Sequence, residues 1–428
     1  MSPTFASLHV RNYRIYFAGA LVSNVGTWMG RIAQDWVVLT QLTNHSATAL
    51  GIVTALQFIP FLLLAPITGA IADRYSKRRI LAITQVILAL TALLGAALVL
   101  TGAAALWHFY VLALVTGLAS AVDNPARQAF VSEMVPPARL PNAVALNSAS
   151  FNLGRLIGPA VAGLAIAAVG TGVTLLANAF TFIAVLVALA AMKGDQLRPA
   201  PRVTGGGSVV EGLRYVSRRA DIQLVLLLVF VLGTFGMNFQ ITIALMATTV
   251  FDKGSAEFGL LGSVMAIGSL AAALIAARRS NPRMRTLLVA LAGFTVASGA
   301  AALAPTYTTF AIALAACGLT GLTAMTTANA MVQTRVLPEM RGRVMALYMA
   351  IFLGGTPVGA PVIGWIGETF GARWTIGIGT VAVGITLALV SLWLARREIV
   401  QVTYEAERRP RLRVRALPMP HALPEAAR

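Results

Sequence analysis

Arg31 and Asp35 stand four residues apart in the first long apolar stretch of this 428-residue chain. On a helix, that spacing puts a base and an acid on one face, within reach of each other. Arg155 is a lone cation inside another apolar stretch, and the run Asp73-Arg74-Tyr75-Ser76-Lys77-Arg78-Arg79 packs one acid among four bases. Ionisable groups at membrane depth are costly and mark candidate functional positions. Other chemistry is poorly served. Cys317 is the single cysteine, and His9, His45, His108 and His421 are dispersed. No metal site, disulfide or catalytic cluster is expected from them. No Gly-x-x-x-x-Gly-Lys-[Ser/Thr] run is present to cradle a nucleotide, so no cofactor is expected. An integral-membrane enzyme is therefore a remote alternative.

The elements that must position these residues are membrane helices. Apolar residues make up 57% of the chain and charged residues 11%, where a soluble domain carries roughly a quarter charged. Twelve stretches have the roughly 20 apolar residues a bilayer crossing needs. They centre near Ser23, Ile59, Leu90, Leu114, Gly154, Ile183, Phe230, Met265, Phe294, Ala316, Gly354 and Val383. The formal charge of +18 is not spread as a nucleic-acid footprint. All but Lys253, Arg373, Arg31 and Arg155 of the 33 Lys and Arg residues fall in alternate connections and the tail. Basic connections stay cytoplasmic, which predicts cytoplasmic termini. The polar segment 1–14 leads straight into the first span, so no cleaved signal is expected. Anionic lipid heads are expected partners of the basic loops.

The chain repeats. Pro137, Phe151, Gly154, Gly158, Gly163 and Gly170 recur 201 residues later as Pro338, Phe352, Gly355, Gly359, Gly364 and Gly371, and Gly117 recurs as Gly318. The organisation expected is a six-helix bundle over 1–192, a cytoplasmic linker over 193–220 with Pro199, Pro201 and Gly205-Gly206-Gly207, and a second six-helix bundle over 221–396. A basic, disordered tail over 397–428 completes it. Two parallel halves suit a carrier that rocks one against the other around a midplane site. A channel needs no such repeat.

Gly69-Ala70-Ile71-Ala72-Asp73-Arg74-Tyr75-Ser76-Lys77-Arg78-Arg79 resembles the signature loop of the major facilitator superfamily. Ser76 stands where that pattern has Gly, which implies a strained turn. The corresponding second-half loop, Ala276-Ala277-Arg278-Arg279-Ser280-Asn281-Pro282, keeps the charge and loses the acid. The resemblance implies an all-α fold of twelve transmembrane helices and a gating latch of Gly69, Asp73, Arg74, Lys77, Arg78 and Asp123. Asp73 would accept from a helix N-terminus, which the resemblance places at the eleventh span. Lys77 would pair with Asp123. These bonds would hold an outward-open state; a plain topology loop is the alternative.

Gly154, Gly158, Pro159 and Gly163 resemble the Gly-Pro motif of superfamily exporters, which implies antiport; tight packing alone is the other reading. Gly26-Thr27-Trp28-Met29, Ala33-Gln34-Asp35-Trp36, Asp123-Asn124-Pro125-Ala126-Arg127 and Asn142-Ala143-Val144-Ala145-Leu146-Asn147 resemble the branch of bacterial efflux carriers that includes the enterobactin exporter and macrolide-efflux relatives. Asp35, with Arg31, is the proton-coupling candidate, against a permanent ion pair near the outer surface. Arg155 is a cavity candidate, against a structural pairing. Asn24, Gln57, Asn147, Asn152, Asn238, Gln240 and Asn329 could supply cavity hydrogen bonds. The function expected is proton-coupled export of a small amphipathic molecule, such as a drug or siderophore, by a monomer. Proton-coupled import of a small metabolite is the rival.

Overall fold

A chain crossing lipid many times must satisfy its backbone polar groups internally, and helices do so within each crossing. The computed structural model describes residues 3–198, 209–277, 282–396, 400–405 and 411–416. Its helices are α1 (Arg11–Trp36), α2 (Ala47–Arg74), α3 (Lys77–Leu100), α4 (Leu106–Met134), α5 (Leu140–Ala191), α6 (Val209–Ser217), α7 (Ala220–Val231), α8 (Phe239–Leu245), α9 (Ser255–Ala277), α10 (Met284–Ala302), α11 (Tyr307–Arg335), α12 (Pro338–Phe370) and α13 (Trp374–Arg396). Every span centre expected from the sequence falls inside one of them.

Among the described residues, ten stretches are long and apolar enough to cross a membrane. One of these, Pro137–Ala191, has 55 residues, too many for one crossing. Within it, α5 reverses at Gly170, whose φ of 82° and ψ of 169° suit glycine. Contacts on α1 prove the reversal. Gly154 and Gly158 lie against Asn24 and Trp28, in ascending order, whereas Asn178 and Ala184 lie against Gly30 and Gly19, in descending order. The remaining crossing is α1, which is long enough but carries Arg11, Asn12, Arg14, Asn24, Arg31 and Asp35. The seventh crossing is discontinuous. A π-helical turn at Leu232–Gly236 separates α7 from α8, and a second follows at Met246–Val250.

The sequence repeat is a repeat of close approaches. Gly154 and Gly158 bury against α1, the first crossing of their half; Gly355 and Gly359 bury against Thr234, in the first crossing of theirs. Gly117 lies on the Gln57 carbonyl and Gly318 on that of Met265. Gly163 meets Ser255 and Ala256 of the other bundle, and its twin Gly364 meets Ala47 and Thr48. Gly371 shares the positive φ of Gly170. The offset therefore maps one six-helix bundle onto the other.

One pole gathers the start of α1, the end of α13 and most of the described basic residues. There Asn12 Nδ2 donates to the Lys193 carbonyl (2.9 Å), and Tyr13 Oη donates to the Ala143 carbonyl (2.7 Å). One expectation needs correction. Ser76 adopts φ −61° and ψ 119° at the start of α3, so the loop turns without the left-handed backbone that glycine would serve. In the tail, β1 (Val400–Glu405) and β2 (Arg411–Ala416) pair antiparallel, with Val402 opposite Val414. Alternation of apolar and polar residues in both segments fits such pairing. Linker residues 199–208, the second-half loop over 278–281 and the remaining tail positions lie outside the described residues.

Leucine at Gly359 would collide with the Thr234 backbone, whereas Gly342 has open space around it. Gly359→Leu is expected to cost about 1–3 kcal/mol or more, and Gly342→Leu close to nothing. Thermal unfolding of the two variants in detergent checks this.

Candidate functional site

Charges inside a helical bundle persist where they find partners. The charged loop after α2 knits the first bundle together at the basic pole. Lys77 Nζ reaches Glu133 at 3.0 Å, both side chains being about nine-tenths buried. Asp123 instead takes Arg127 Nε (2.8 Å), Thr84 Oγ1 (2.7 Å) and Gln85 Nε2 (2.9 Å). The expected Lys77–Asp123 pair is therefore not formed. α3 and α4 run antiparallel, and Thr84 already sits level with Asp123. Lys77, about 10 Å nearer the pole at 1.5 Å per residue, is level with Glu133. Arg78 Nη2 donates to the carbonyls of Leu189 (2.5 Å) and Met192 (3.4 Å), where the last carbonyls of α5 lack helical partners. Arg74 is exposed, its guanidinium 6.0 Å from the Tyr75 ring centroid. The side chain of Asp73 and the site of Gly69 lie outside the described residues.

The second bundle ties the same pole differently. Arg219 grips Asp221 with Nε and Nη2, both at 2.9 Å, and donates through Nη1 to Tyr215 Oη and through Nη2 to the Arg335 carbonyl. Arg343 pairs with Glu211 at 2.9 Å. The linker helix α6 and the start of α7 thus supply the acids.

Farther in, Arg31 does not pair with Asp35: no nitrogen–oxygen distance between them falls within 4.0 Å. The guanidinium carbon lies 5.1 Å from the Trp28 ring centroid and 5.6 Å from that of Phe58, a cation–π arrangement. Asp35 is 3% exposed, and its Oδ2 has no hydrogen-bond partner. Arg155 is half-buried, with no ion pair or hydrogen bond among the described residues. Asn24 Nδ2 bonds Ser150 Oγ (2.9 Å), Asn152 Nδ2 bonds the Ser148 carbonyl (2.9 Å), and Asn329 Oδ1 accepts from Gln333 Nε2 (2.6 Å). Asn147 and Gln240 are half-buried. Gln57 and Asn238 do not join this set. Gln57 lines a cavity within the first bundle, and Asn238, at the break between α7 and α8, lines one within the second.

The bundles meet along a seam at the pole away from the termini. Gly163 and Pro159 face Gly259 across it, so the Gly-Pro motif has one face on α1 and the other on the seam. Ser255 Oγ bonds the Gly163 carbonyl (3.2 Å). Ser263 Oγ enters the turn beside Pro159, donating to the Leu156 carbonyl (2.6 Å) and accepting from Ala160 N (3.2 Å). Trp36 stacks on Phe258 at 5.8 Å between centroids. On the other flank, Ser46 caps α2 by accepting from Ala49 N (3.2 Å), and Ser46 and Thr48 both donate to the Glu368 carboxylate of α12. Sequence reasoning missed Ser263, Glu368, Glu133 and the Arg219 cluster. The available signals were an N-cap Ser at Ser46 and a bare acid at the far end of the eleventh crossing.

Comparison with known proteins is consistent with this geometry. Residues 2–417 match the family model described as transmembrane secretion effector. The chain belongs to that family, within the major facilitator superfamily. It is 28% identical over 388 residues to a staphyloferrin A transporter of Staphylococcus aureus, covering 88% of this chain and 96% of that one. It is 25% identical over 398 residues to an enterobactin exporter of Shigella boydii, covering 90% and 92%. A bacterial homologue of the human lysosomal transporter Spinster has the same fold, with a TM-score of 0.68 at 14% identity over 89% of this chain and 97% of that one. The chain is a multi-pass membrane transporter, not an enzyme, and its relatives include efflux carriers.

Removing one partner of a buried ion pair strands the other. Lys77→Ala is expected to lower stability by about 3–5 kcal/mol, and Lys77→Met with Glu133→Leu to recover most of that loss. Thermal unfolding of the single and double variants checks it.

Proposed function

We propose that this protein is a proton-coupled exporter of a small amphipathic molecule, such as a drug or siderophore, in the bacterial inner membrane. In this reading both termini are cytoplasmic, the protein acts as a monomer, and the basic loops rest against anionic lipid heads. The observation that carries it is the one-sided seam. Ser46 and Thr48 with Glu368, Ser255 with Gly163, and Trp36 with Phe258 join the bundles away from the termini. A carrier closed there and open toward the cytoplasm is poised to load cargo from inside. The enterobactin exporter relative supports the direction.

Asp35 is the coupling residue in this reading. In this reading, separating the bundles at the seam bares its carboxyl to the outside, where it exchanges a proton while cargo leaves. Arg155, Asn24, Asn147, Asn152, Gln240 and Asn329 are the proposed cargo contacts, with Gln57 and Asn238 acting from within their bundles. Pro159 and its glycines form the joint on which α5 bends. The latch of Asp73, Arg74, Lys77, Arg78 and Asp123 forms at the cytoplasmic pole when the seam opens.

Expression in a strain stripped of its own pumps, followed by a susceptibility screen, is expected to raise resistance several-fold to at least one amphipathic compound. In inverted vesicles with an imposed proton gradient, Asp35→Asn is expected to abolish gradient-driven uptake of that compound while the protein stays in the membrane. Full uptake by the variant would remove Asp35 from coupling. Glu368→Gln is expected to loosen the seam by about 0.5–1 kcal/mol, a roughly two- to five-fold population shift. In a Cys317→Ala background, thiol labelling of Ala360→Cys, a fully buried seam position against Gly51, should speed up by that factor.

A further inference from the structure

We propose that the cavity inside the first bundle is a binding site for a small inorganic monoanion of the halide class, held by Arg31. The cavity measures about 70 Å³ and lies among α1, α2, α3, α4 and the second arm of α5. It has room for a few water-sized particles at roughly 15 Å³ each and for no organic cargo. Arg31, Gln34, Gln57 and Asn178 face it.

The cavity's lining holds a cation and amide donors but no acidic acceptor. Of the first bundle's described acids, Asp123 is committed to Arg127, Thr84 and Gln85, and Glu133 to Lys77. Asp35 is beyond ion-pair reach of Arg31. Trp28 and Phe58 engage the guanidinium through their rings, and its N–H groups have no hydrogen-bond acceptor among the described residues. Gln34 Nε2, one turn along α1, is also buried with no acceptor. Asn178 is 7% exposed; its Oδ1 accepts from Thr181 Oγ1 (3.3 Å), and its Nδ2 lies over Gly30, beside Arg31. The hydroxyls of Thr27 and Thr91 are turned onto carbonyls of their own helices. A positive charge and unpaired amide donors converge on one small space. An anion offers lone pairs and neutralises the half-buried charge at once, which water cannot do.

The test uses the whole protein and reads binding, so its outcome is independent of export and of Asp35. Crystals grown in sodium bromide and measured at the bromine edge are expected to show an anomalous peak in this cavity within hydrogen-bond reach of Arg31. In detergent, replacing gluconate by chloride should raise the unfolding midpoint saturably. Arg31→Gln should lose that rise, and Arg155→Gln, which removes the other arginine at membrane depth, should keep it. Gln34→Leu should weaken half-saturation about ten-fold, the effect of one lost hydrogen bond to a charge. An empty cavity in the bromide crystals, or a chloride response unchanged in both Arg31→Gln and Gln34→Leu, overturns the proposal.

Discussion

The hydroxyl of Ser263 sits inside a turn of another bundle's helix, and the arrangement of the bundles depends on contacts of that kind. Pro159 has no N–H to give to the ladder of α5, and in lipid the neighbouring backbone groups need partners. Ser263 supplies both a donor and an acceptor at that turn, from across the seam. Around it Gly163, Gly259, Ser255, Ala47 and Gly364 bring backbones together with little or no side chain between them. Such a seam gains close-range dispersion and hydrogen bonds, yet few rotamers are fixed when it forms or freed when it parts. That combination suits a joint which must close and open repeatedly.

The two bundles share this geometry but not their chemistry. The glycines at 154, 158, 163 and 170 have working twins at 355, 359, 364 and 371, each in an equivalent contact or backbone conformation. Arg155, between two of those glycines, has Thr356 as its counterpart. Within the first bundle the charges at membrane depth are Arg31, Asp35 and Arg155; the second bundle answers with hydroxyls and amides such as Thr234, Asn238 and Thr242. Packing constrains both copies alike, because each brings helix backbones into close contact. Ionic chemistry needs only one copy, and the other is free to lose it.

What could be read from the sequence follows the same division. Spans, the two-fold repeat and the close-packing glycines are properties of one helix or of a fixed offset, so a single chain displays them. Partners across helices are not. Choosing Asp123 for Lys77 required the axial register of α3 against α4, and Glu133, ten residues further on, wins because it lies at the level where α3 begins. Arg31 and Asp35 have helical spacing for a pair, but two aromatic rings on α1 and α2 take the guanidinium instead. Gln57 and Asn238 were legible as polar residues in apolar spans; that they turn into their own bundles depends on helix rotation. Glu368 lies 322 residues from its partner Ser46, and no local pattern announces a contact so remote.

The antiparallel pair α2 and α12 brings these strands together. Each helix ends beside the other's start, so each pole juxtaposes a helix N-terminus with the end of its neighbour. At the seam, Glu368 at the end of α12 sits on the first turn of α2, where the dipole favours an anion. In the proposed latch, Asp73 at the end of α2 takes the same place on the first turn of α12 at the opposite pole. Between the poles the helices touch where Leu62 lies against Gly354. In the proposed cycle, stiff helices rocking about that contact would close one end as they part the other, so the two caps would compete. The free-energy gap between the two proposed states would then depend on the difference between two similar cap interactions, small enough for cargo and the proposed coupling proton to tip.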